Sequence, residues 1–178
     1  LQDAYLRKDE RLEYLFNRAF CDLRTGNYTR SQAGFNKLLG MERNPFTQSS
    51  TYYLAYVYYV EQKFEQALPL FKSLFSHMRY GVMSRYFWVE SKFMMNDHEA
   101  VVDAGPDLYQ DLDKEYQPRL ARIISEAYFS MENPQEAQKY LSMYEKSGGA
   151  MSRRDHYYAG IVSYSLGGYH AAADSFLK

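Results

Sequence analysis

Cysteine is almost missing from this chain: Cys21 is the one example among 178 residues. A lone cysteine excludes an internal disulfide and a zinc site built on cysteines. It does not separate cytosol from periplasm. No run approaches 18 apolar residues, so no direct membrane insertion by a helix is expected. Charge of one sign is also lacking. Lys and Arg total 21 against 22 Asp and Glu, a net charge of −1, and the basic footprint of a nucleic-acid binder is absent. Proline (5) and glycine (10) are sparse enough to leave room for long regular elements. With 46% apolar and 24% charged residues the chain is expected to fold, not to stay disordered. What it has in quantity is aromatic: 19 Tyr, 11 Phe and 1 Trp.

Catalytic signatures are missing as well. There is no H-E-x-x-H, no G-x-x-x-x-G-K-[ST] and no G-x-S-x-G. No two of His77, His98, His156 and His170 stand at i, i+4. His98 lies between Asp97 and Glu99, but consecutive helical residues point about 100° apart and cannot converge on one ion. Gly167-Gly168 has no lysine after it and reads as a turn. Cys21, beside Phe20 and Leu23, is expected to be buried packing. Asp107, Asp111, Asp113 and Glu115 follow Gly105-Pro106, which is expected to cut a helix short, and read as a solvated linker. No enzyme activity, cofactor or metal is expected.

A repeat organises the rest. Gly167, Tyr169, Ala172 and Phe176 stand at offsets 0, 2, 5 and 9, as do Gly26, Tyr28, Ser31 and Phe35. Gln62, Phe64, Ala67 and Phe71 share the pattern, and so do Glu132, Pro134, Ala137 and Leu141. A weaker copy is Met95, Asp97, Ala100 and Ala104. The small residues Ser31, Ala67, Ala100, Ala137 and Ala172 are spaced 36, 33, 37 and 35 apart. Twelve residues before each lie Ala19, Ala55, Trp88, Ser125 and Gly160. Each unit reads as helix, tight turn, helix, with apolar residues at 3–4 spacing and small residues where the two helices cross. First helices are expected over 12–24, 49–61, 82–95, 118–131 and 155–166. Second helices are expected to begin near Tyr28, Phe64, Asp97, Pro134 and Tyr169. In the third unit Trp88 stands where a small residue belongs. Either a large-for-small exchange or a shifted or distorted register accounts for it.

These positions resemble the tetratricopeptide repeat (TPR) family, whose 34-residue pattern has the same small and aromatic places. The resemblance covers residues 12–178. It implies an all-α, right-handed α–α superhelix, a TPR-like solenoid of about five helix-turn-helix units. Residues 1–178 are then one repeat domain, with units at approximately 12–45, 46–80, 81–114, 115–149 and 150–178. Ala67–Phe71 reads Ala-Leu-Pro-Leu-Phe, similar to bacterial TPR arrays. Leu1 is not an initiator Met and the last helical run has no stop signal, so a segment of a longer, bacterial protein is expected.

The resemblance also implies a concave groove lined by one stripe of each first helix. In the first unit the stripe takes Phe16, Phe20 and Arg24, and in the second Tyr52, Tyr53, Tyr56 and Tyr59. The third supplies Arg85, Tyr86, Val89 and Lys92, and the fourth Arg119, Arg122 and Glu126. The fifth supplies Arg154, Tyr157, Tyr158, Ile161 and Tyr164. Tyr offers area and a hydroxyl at low rotamer cost, and Arg a bidentate fork for carboxylates. The expectation is a non-catalytic scaffold holding a protein or peptide segment of acidic character in that groove. The alternative weighed for the same residues is that several Tyr pack between repeats and the Arg are solvated. Self-association, or service as the recruiting arm of an enzyme whose catalytic part lies elsewhere, are the competing functions. Lys and Asn of the chaperone-binding subclass's carboxylate clamp are replaced here by Phe16, Phe20 and Tyr53, which argues against a chaperone-tail adaptor.

Overall fold

The structure, a computed structural model, describes residues 8–42, 44–148 and 151–178. Among these residues every regular element is an α-helix. In chain order they are α1 (Lys8–Arg24), α2 (Tyr28–Leu39), α3 (Thr47–Val60), α4 (Phe64–Ser73) and α5 (Gly81–Met94). Then come α6 (His98–Asp111), α7 (Gln117–Ser130), α8 (Pro134–Lys146), α9 (Arg153–Ser165) and α10 (Tyr169–Phe176). The chain divides into two compact units, one up to Ser91 and one from Lys92 onward.

The same turn joins the helices of every hairpin. Gly26, Gln62, Asn96, Glu132 and Gly167 all have φ between 59° and 79°. At each, two backbone bonds close a Schellman motif. Gly26 N donates to Leu23 O and Asn27 N to Asp22 O, and the pair recurs at Gln62/Lys63, Asn96/Asp97, Glu132/Asn133 and Gly167/Gly168. These bonds satisfy carbonyls that a helix end leaves open. Asp97 and Asn133 then cap α6 and α8 through their side chains, accepting from Ala100 N and Glu136 N.

Counting from these turns corrects the third hairpin. Its left-handed residue is Asn96, not Met95, so its second helix starts at His98 and not Asp97. Five residues beyond Asn96 is Val101, fully buried, and four further is Gly105, also buried. Ala100 and Ala104 are only half-buried. The buried anchors Ser31, Ala67, Val101, Ala137 and Ala172 are therefore 36, 34, 36 and 35 apart, and the matching first-helix residue is Val89, not Trp88. Trp88 is half-buried, edge-on to Phe75 at 5.8 Å. Pro106 does not end α6, which runs on to Asp111, so Asp107 and Asp111 are helical and the linker is confined to 112–116. Gly105 lets α7 come close: a Cβ there would lie 2.7 Å from Ile124 Cγ1.

Small residues do bring the helix pairs together. Ser31 Oγ donates to Ala19 O at 2.9 Å, and Ser125 Oγ donates to Ala137 O at 2.7 Å, each across twelve residues. In the first unit Leu12, Leu15, Ala19 and Leu23 of α1 pack with Phe35, Leu38, Leu54 and Val57. Ala55, Ala67 and Phe71 form the next cluster. In the second unit Ala137, Leu141, Ala159 and Val162 pack together. Each fully buried Phe or Leu contributes roughly 1.5–3 kcal/mol. Cys21 is exposed, not buried. It occupies the helix position that Val57 and Val162 use to pack back on the preceding hairpin, and no hairpin precedes α1 among the described residues.

Candidate functional site

Two sets of aromatic residues alternate along the first helices, and the structure separates them. One set inserts into the hairpin before it. Tyr53 of α3 lies 5.0 Å from Phe20, 6.0 Å from Phe16 and 5.9 Å from Phe35. Phe87 of α5 lies 5.1 Å from Tyr56, 4.9 Å from Tyr59 and 5.7 Å from Phe71. Tyr158 of α9 lies 5.8 Å from Phe129 and 3.0 Å, oxygen to oxygen, from Ser125. The Ser125 hydroxyl hydrogen goes to the Ala137 carbonyl, so Tyr158 is the donor in that contact. Burial pushes the Tyr158 phenol up to about 12. Burial also raises the Tyr53 phenol, with Tyr80 adding to it.

The other set is a half-buried stripe. In the first unit Tyr52 stacks on Tyr80 at 4.9 Å, and Tyr56 meets Tyr59 at 6.1 Å. Tyr59 donates to Glu90 Oε2 at 2.6 Å and Tyr86 to Glu90 Oε1 at 2.9 Å. Glu90 is 2% exposed, so two phenols hold a carboxylate that solvent scarcely reaches. By the corrected register the third hairpin's stripe is Tyr86, Glu90 and Phe93. Arg85, Val89 and Lys92 are each one residue off it, and Val89 and Tyr86 are themselves buried. Glu90 was missed for that reason.

The second unit holds an ionic node. Arg122 Nε is 3.0 Å from Glu126 Oε1 and 3.1 Å from Asp155 Oδ1. Asp155 closes a capping box at the start of α9: Ser152 N and Oγ donate to its Oδ2, while Asp155 N donates back to Ser152 Oγ. Tyr144 donates to the same Oδ2 at 3.2 Å. Burial alone would raise the Asp155 pKa. The Ser152 bonds, the Arg122 charge and Tyr144 outweigh it and hold the carboxyl below its ordinary range. Lys92 pairs with Asp97 at 2.7 Å and lowers its pKa in turn. Arg122 and Lys92 are thus each already engaged with carboxylates. Phe20 and Ile161 are half-buried; Arg119, Arg154, Tyr157 and Tyr164 are exposed. Among the described residues no group of His, Cys, Asp and Glu could hold a metal ion, and no helix is long and apolar enough to cross a membrane.

No protein-family model matches the sequence, and no curated protein matches it. Solved structures do. MamA 41-end from Desulfovibrio magneticus RS-1 superposes with a TM-score of 0.79 at 12% identity, over 93% of this chain and 91% of that one. MamA AMB-1 gives 0.80 at 10% identity, over 96% and 90%. The apo form of RapI gives 0.73 at 13% identity, over 93% and 68%. At such identities the shared property is the fold. The chain has the all-α, TPR-like helical-repeat fold.

Proposed function

We propose that this chain is a non-catalytic scaffold that binds a protein or peptide segment on the aromatic stripe of its first helices, centred on Tyr52, Tyr56 and Tyr59. Helical repeats of this kind generally serve as protein-interaction modules. The observation that carries the reading is the state of the stripe in the first unit. Its phenols are half-buried and braced by neighbouring rings, so a partner would gain contact area with little further loss of rotamer freedom. Tyr is also among the residue types enriched where interfaces concentrate their energy. The partner segment is expected to be apolar or aromatic first. Lys92 already holds Asp97, and Arg122 holds Glu126 and Asp155, so neither calls for an acidic partner segment.

Peptides selected from a random library against the intact chain test this. Tyr56→Ser should weaken the selected peptides by about tenfold or more at a temperature where the variant keeps its full helical signal. Tyr164→Ser, at the far end of the chain, should leave them unaffected. Equal affinity for the wild type and Tyr56→Ser would contradict the proposal.

A further inference from the structure

Glu90 is costly as a packing residue. It stands one residue after Val89, the crossing residue of its hairpin. The first and fifth hairpins fill that place with Phe20 and Ile161, and the second with Tyr56. The fold is thus served there by side chains that carry no charge. Glu90 is 2% exposed, and taking a carboxylate out of water is unfavourable unless hydrogen bonds answer it. Here they come from two phenols of the stripe: Tyr59 Oη donates to Oε2 at 2.6 Å and Tyr86 Oη to Oε1 at 2.9 Å. The fourth hairpin has Glu126 at the same place, bonded by Arg122 of its own helix, as Glu90 is by Tyr86. What sets Glu90 apart is the second bond, which reaches back to Tyr59 of the preceding hairpin.

That bond acts on the orientation of the ring. The Tyr59 oxygen is the side-chain atom farthest from the backbone, so a charge-assisted bond there restrains both side-chain torsions at once. Tyr59 in turn braces its neighbours. Its ring is 6.1 Å from Tyr56, the two planes 30° apart. It is 4.9 Å from Phe87, which meets Tyr56 at 5.1 Å. The hydroxyl hydrogens of Tyr59 and Tyr86 both go to Glu90, so neither phenol keeps one for a partner's carboxylate.

Taking the Tyr52–Tyr59 stripe as the binding surface proposed above, we infer that Glu90 is its positioning residue. Almost out of a partner's reach itself, it holds Tyr59, and through Tyr59 the Tyr56 ring, in the orientation that a partner segment meets. The partner's affinity therefore depends on a carboxylate that the partner does not touch.

The probes are the peptides selected from a random library against the intact chain, labelled with fluorescein and followed by anisotropy. Every variant is measured at a temperature where it keeps its full helical signal. Glu90→Gln preserves the size of the side chain but leaves one acceptor oxygen for two phenols. It should weaken the peptides about fivefold or more. Tyr59→Phe should do likewise. The double variant should be no weaker than about the worse of the two single ones, because both changes remove the same bond. A carboxylate serving stability alone would lower the melting temperature and leave the affinities untouched. Unchanged affinity in Glu90→Gln or in Tyr59→Phe, with Tyr56→Ser still damaging, would overturn the role of Glu90 and leave the stripe standing. Additive losses in the double variant would also overturn it, since Glu90 would then act by a route other than Tyr59. Unchanged affinity in both Glu90→Gln and Tyr56→Ser would remove the stripe as the binding surface, and the role of Glu90 with it.

Discussion

At the residue scale, Asp155 joins three elements: it caps α9, accepts from Tyr144 of α8 and pairs with Arg122 of α7. Its folded pKa lies below the unfolded value of about 3.9, so its contribution is fully present above that pH and is lost as pH falls through the folded value. Asp155→Asn should cost about 1–2 kcal/mol at neutral pH, the scale of a lost helix cap. The gap between variant and wild type should be narrower at a pH below the unfolded value of about 3.9 than at neutral pH, because the wild-type carboxyl takes up its proton as the pH falls. Urea unfolding at the two pH values measures this, and a gap that does not narrow would contradict it. The sequence makes Tyr53 and Tyr158 look like binding residues for a simple reason. Each has a tyrosine beside it, Tyr52 and Tyr157. Nothing in the pair Tyr-Tyr says which ring inserts into the preceding hairpin and which lies on the stripe about 100° away. Only the distances decide it.

At the scale of the element, four of the five turns were legible from the regular offset between a turn residue and the anchor beyond it. The third was not. Asn96 takes the left-handed conformation in a Met-Asn-Asp stretch that reads equally well one residue earlier. Val101 then hides the anchor, because a buried valine stands where the other hairpins have Ser or Ala. The same shift by one displaced Arg85, Val89 and Lys92 from the stripe. Gln62 and Glu132 have φ near 60°, where a side chain costs about 1 kcal/mol or more and glycine does not. Gln62→Gly and Glu132→Gly should each stabilise by about 1 kcal/mol, and Asn96→Gly by less, because Asn tolerates this region. Chemical denaturation of the three variants tests the turn geometry. Destabilisation of all three would show that these residues are not left-handed.

For the molecule as a whole, the all-α repeat was visible in the spacing of small and large residues, although solved structures of the same fold share only 10–13% of its sequence. That is expected when a fold is specified by where helices must approach and where rings must fill, and each unit needs only its neighbours. Residue identity is then free to drift while the pattern stays. Each described unit shows this with its own cores and its own seated aromatic rings. The measurement that bears most directly on this account is a nuclear Overhauser experiment on chain with labelled Tyr and Phe rings. Stacked hairpins predict cross-peaks from Tyr53 to Phe20 and from Tyr158 to Phe129, whose ring centres are 5.0 and 5.8 Å apart. A helical, folded chain lacking both cross-peaks would contradict the insertion of each hairpin's ring into the one before it.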